Sequence, residues 1–158
     1  MKKTGFLVSA VALVGVLVSG FALAADAEKA VKARQGLMQI YAFNMSIVGG
    51  MAKGAIEYNA QSASAAAENL LALASMKNGA MWPAGSGNDN LELADKTRAL
   101  PEIWTTYPEI GQKGADMISA LEEFVTVAGS GLDGLRGGLK AVGDSCKGCH
   151  QDFRAEDD

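Results

Sequence analysis

The sequence predicts an all-helical protein, and three observations carry that expectation. Alanine, leucine, methionine and glutamate dominate, while runs of alternating β-branched residues are absent. Long stretches place apolar residues at alternating spacings of three and four, the period of one helix face. Between these stretches stand glycine and proline clusters of the kind that end helices.

The first stretch precedes the fold. Lys2 and Lys3 lead into a run from Gly5 to Gly20 that is apolar apart from Ser9 and Ser19, followed by Ala22-Leu23-Ala24, small residues at the two positions a signal peptidase reads. Residues 1–24 are therefore expected to be a secretory leader cleaved before Ala25. An uncleaved anchor would need a positive stop-transfer flank, and none follows. No second run of spanning length follows either, so residues 25–158 are expected to be one domain without stable membrane association. Loss of the leader takes the 14 Lys and Arg to 12 against 18 Asp and Glu, a net charge of −6. That acidity argues against nucleic acid and anionic membranes as partners and is compatible with a basic redox partner protein.

The first helix is expected from about Asp26 to Ala52, with Val31, Arg34, Met38, Tyr41, Met45, Val48 and Ala52 on its inward stripe. Arg34 is the anomaly, because a guanidinium on an apolar stripe is costly unless an anion meets it or the side chain snorkels to solvent. Lys53-Gly54 ends the helix. Asn59 or Ser62 caps a second, alanine-rich helix running from about Ala60 to Asn78.

From Asn78 to Leu100, Pro83, Gly85-Ser86-Gly87 and Asn88-Asp89-Asn90 mark a long crossing loop. Met81 and Trp82 within it either cover a bound group or close the end of the fold. The third helix opens near Pro101, and its stripe reads Ile103, Tyr107, Ile110, Gly114, Met117, Leu121, Phe124, Ala128. Pro108 removes an amide donor inside it, so a kink or a break is expected there.

The last helix carries Leu132, Leu135, Leu139, Val142, Cys146, Cys149 and Phe153 on one stripe, which sets both thiols on its apolar side. Its many glycines weaken a helix, and either local mobility or a flat group pressed on the backbone accounts for them. Within it, Cys146-Lys147-Gly148-Cys149-His150 gathers both cysteines and the single histidine of the chain. This is the pattern of c-type haem attachment: two thiols add across the two haem vinyl groups, and the adjacent imidazole serves as axial ligand to iron. A redox dithiol would sit at a helix start after a strand, and structural zinc would need four Cys or His ligands where three exist. A haem propionate is the anion that would meet Arg34. Haem attachment also agrees with export, so a periplasmic location is expected.

The chain resembles the class II c-type cytochromes, the cytochrome c′ family. The likeness rests on Ala33-Arg34-Gln35-Gly36-Leu37-Met38-Gln39, Met51-Ala52-Lys53-Gly54, Pro101-Glu102-Ile103-Trp104, and the motif from Cys146 to Arg154 near the C-terminus, and it covers essentially the whole mature chain. The resemblance implies an antiparallel four-helix bundle, often a homodimer through its first two helices, with one haem c near the C-terminal helix. It implies Cys146 and Cys149 as thioether residues, His150 as proximal ligand, Arg34, Gln35 and Ser86 against the propionates, and Arg154 as a positive charge near the proximal side. Asn88 to Lys96 and Pro108 depart from the family pattern.

Met38 sits where the family places its distal residue. If its thioether binds iron, the centre is six-coordinate and low-spin, a His/Met electron carrier of the cytochrome c556/c554 kind. If it only packs, the iron is five-coordinate and open to NO or CO. A catalytic role would call for a distal acid–base group, and the only histidine is already assigned to the iron, so no enzymatic activity is expected.

Overall fold

A computed structural model describes the backbone over residues 15–156 and the side chains from Asp26 onward. The leader expected over 1–24 lies outside the residues whose side chains are described. The helices are α1 (Gly15–Ala52), α2 (Ala60–Ala74), α3 (Glu102–Thr105), α4 (Tyr107–Val127) and α5 (Leu132–Phe153), with a 3-10 turn at Gly79–Met81. The four long helices form the bundle: α1 packs on α2, α2 on α4, α4 on α5, and α5 closes against α1. Among the described residues no helix is long and apolar enough to cross a membrane.

α1 starts earlier than Asp26, with no proline among the residues ahead of it to stop the helix. It ends where expected. Gly54 turns to φ 73°, and its amide donates to the Met51 carbonyl at 3.0 Å. Asn59 is the residue that caps α2, its Oδ1 accepting from Ser62 N at 2.8 Å. α2 then stops at Ala74, short of the expected Asn78. The Ser75 hydroxyl donates to Leu71 O at 2.8 Å, a local bond that competes with another helical turn.

The expected interruption near Pro108 is a full break. Thr106 takes φ −117° and ψ 47° between α3 and α4, and Pro108 begins the new helix where its missing amide costs nothing. The break resets the helical phase, so Tyr107, expected on the inward stripe, is exposed.

The core is built from Val48 and Met51 of α1, Ala63, Ala66, Ala67 and Leu70 of α2, Leu121 and Phe124 of α4, and Leu135 and Val142 of α5. Full burial of each leucine contributes roughly 1.5–3 kcal/mol. The alanines of α2 let its neighbours approach closely. Gly138 does the same for α5: a Cβ there would stand 2.8 Å from both Phe124 and Val127. That glycine answers to α4 and not to a bound group, whereas Gly137 and Gly143 face open space.

Candidate functional site

The pentapeptide occupies the last turns of α5. Cys146 and Cys149 are free and half-buried, and His150 is exposed. Cys146 joins Tyr41 and Met45 of α1 and Met117 of α4 in packing against the core. Burial pushes the Cys146 thiol up, and burial also raises Cys149, with the Lys113 ammonium opposing the shift. Lys113 reaches across from α4 to pair with Asp152 at 2.7 Å, beside Gly148, whose Cβ would stand 3.6 Å from that ammonium.

Arg34 is the second centre. It is only 3% exposed, so the guanidinium does not snorkel. Its Nη1 donates to Ser86 Oγ at 2.8 Å and to Met81 O at 3.3 Å, while Nη2 donates to Thr97 Oγ1 at 2.9 Å and to the Ser86 carbonyl. The cation also lies over Trp82, 4.7 Å from the ring centroid, and Trp82 O accepts from Trp104 Nε1 at 3.0 Å. Burial lowers the pKa of Arg34 from its usual value. All these partners are neutral. The four terminal N–H groups are spent on the crossing loop, and Nε–H stands outside those bonds.

Gln35 Nε2 donates to Lys96 O at 2.7 Å, and Leu93 is buried with Ala27 and Val31. The loop then reaches the far end of the site. Leu100 N donates to Phe153 O at 3.1 Å and Ala155 N to Arg98 O at 2.9 Å, so residues 98–100 pair with the chain just beyond α5. One segment thus ties the Arg34 level of α1 to the end of the helix that carries His150.

The structure brings Arg34, Gln35 and Ser86 to the base of this loop, with Arg34 bonded directly to Ser86. Trp82 covers Arg34, and Met81 lends its carbonyl. Met38 lies on the same stripe of α1 with a side chain 42% exposed. Thr97 and Lys113 were not singled out from the sequence. A buried arginine demands acceptors, and that demand was the one sign pointing to a hydroxyl such as Thr97. Tyr41, on the stripe between Met38 and Met45, is held neutral, its pKa pushed up to about 12 by burial first and by the neighbouring Cys146 second.

A family model described as cytochrome c′ matches residues 29–154. The chain belongs to the cytochrome c′ family. A cytochrome c-554 from Cereibacter sphaeroides is 37% identical over 95% of this chain and 98% of its own length. The solved cytochrome c′ from Rhodobacter spheriodes superposes with a TM-score of 0.79 at 31% identity, covering 84% of this chain and 99% of that one. A further cytochrome c′ structure, described as having an unusual ligand-controlled dimer dissociation, gives a TM-score of 0.71 at 25% identity over 82% of this chain and 97% of that one.

Membership makes the chain a c-type haem protein, with haem c as its cofactor. The residues fit that group. Two thiols three positions apart on one helix face meet the spacing of two vinyl groups, and the imidazole follows at once. Among the described residues no group of three or more His, Cys, Asp and Glu side chains is placed to hold a bare metal ion.

Proposed function

We propose that this chain is an exported, periplasmic haem protein that transfers electrons and binds small gases such as NO or CO, and is not an enzyme. When bound, haem c would supply a redox-active iron able to exchange an electron or take up a diatomic gas. Cys146 and Cys149 hold the group covalently, and His150 provides the proximal ligand. Arg34, with Gln35 and Ser86, fixes the loop at the propionate edge, where the guanidinium supplies positive charge.

The observation that carries this reading is the concentration of both thiols and the only imidazole on the last turns of α5. No second histidine exists to close the other side of the iron. A second reading has Met38 as sixth ligand in a low-spin carrier. It is favoured by the place of Met38 on the Arg34 stripe and by the similarity to a cytochrome c-554. The exposed apolar side chains along α1 and α2 support a homodimer formed through those helices.

The test is fractionation followed by denaturation. The pigment is expected in the periplasmic fraction, on a chain that begins at Ala25, and it stays with the polypeptide after denaturation in acid–acetone. A colourless denatured chain overturns the haem assignment, and a pigmented chain confined to the cytoplasm overturns export.

A further inference from the structure

Between α1 and α2 runs an open groove of about 440 Å³ lined by Ile40, Phe43, Asn44, Asn69, Ala72, Leu73 and Met76. Phe43 is 65% exposed, and no lining residue is charged. In the middle of this apolar surface sit two amides. Asn44 is almost fully buried; its Nδ2 donates to Ile40 O at 2.9 Å and its Oδ1 accepts from Asn69 Nδ2 at 3.1 Å. Asn69 itself is exposed, and its bond to Asn44 uses one of its two N–H groups.

The occupant that suits this face is a second copy of the chain. The same surface holds a protruding aromatic ring beside an open groove, so a twofold arrangement can seat Phe43 of each protomer in the groove of the other. An uncharged wall also repels no like copy, whereas the chain as a whole is acidic. Apolar contacts alone leave the pairing free to slide, and a polar group inside such a seam fixes one register, because any other buries it unpaired.

We infer that the Asn44–Asn69 pair is the register lock of the dimer, with Asn44 holding Asn69 in place and Asn69 offering its free amide groups to the partner protomer. This rests on the homodimer reading above.

The test is sedimentation equilibrium and native mass spectrometry on holoprotein, comparing wild type with Phe43→Ser, Asn69→Asp and Asn69→Leu, each first checked for an unchanged haem spectrum and unfolding midpoint. Phe43→Ser is expected to be monomeric. Asn69→Asp, which places a carboxylate on each protomer inside the seam, weakens association at least about tenfold at pH 7. Asn69→Leu still associates but loses its single species, giving trimers or larger assemblies beside the dimer. A wild-type dimer that Phe43→Ser dissociates, with both Asn69 variants indistinguishable from wild type, overturns the register role and leaves the dimer face standing. A monomeric wild type at every concentration overturns the homodimer reading itself, and the lock with it.

Discussion

Met38 and Ile40 stand two residues apart on α1, and so roughly 200° apart around the helix. Both are apolar, and both are close to half exposed, at 42% and 49%. On the Met38 flank the neighbours are Arg34, with every terminal N–H engaged, and Tyr41, which packs with Cys146 against the core. On the Ile40 flank the neighbours are Phe43 and an amide pair, with no charge and no metal-binding side chain. Exposed apolar surface on a helix has more than one cause, and the chemistry beside it separates them. On the reading proposed above, one flank serves the haem and the other a second protomer.

Three substitutions, two of them paired with a control variant, sharpen that contrast in descending order of effect. His150→Ala removes the only imidazole, so on the proposed ligation the covalently held haem loses its proximal protein ligand. The optical spectrum of the purified variant should depart wholly from that of wild type, and an unchanged Soret maximum would show that the iron is held by another residue. Arg34→Met leaves Ser86, Thr97 and Met81 without their buried donor and releases the crossing loop from α1. A loss of about 3 kcal/mol is expected in urea unfolding, against a change within about 0.5 kcal/mol for Phe43→Ser measured as the monomer. Equal losses in the two would erase the difference between the flanks. Leu93→Ala should cost about 2 kcal/mol, because Leu93 is buried against Ala27 and Val31, while Leu91→Ala, on the same loop at 94% exposure, should leave the midpoint in place.

The smallest effect concerns Tyr41. Its folded pKa is raised, so the folded chain holds that proton longer than the unfolded chain does. The stability it contributes is fully present below about pH 10 and is lost as pH rises towards about 12. Tyr41→Phe should flatten the fall in stability between those pH values, and an identical pH profile would place the phenol in solvent.

The bundle was legible because its periodicity is local: α2, α4 and α5 bury the alanines, leucines and Phe124 that the three-four spacing selects. The attachment motif was legible for the same reason, being five consecutive residues. Tyr107 was misplaced because a periodic pattern carries no record of the phase reset at Thr106. The partners of Arg34 lie 47 to 63 residues away, and nothing in the stripe of α1 names them. Asn44 and Asn69 were passed over since isolated polar residues in helices look like solvated positions until α1 and α2 are seen side by side.

The most direct test of the role proposed for the Met38 flank is the optical spectrum of reduced holoprotein before and after CO, taken on wild type and Met38→Ala. An open iron predicts a broad high-spin spectrum that shifts promptly with CO in both proteins. A methionine-to-iron charge-transfer band in oxidised wild type, unchanged by CO after reduction and lost in Met38→Ala, would contradict it and make Met38 the sixth ligand.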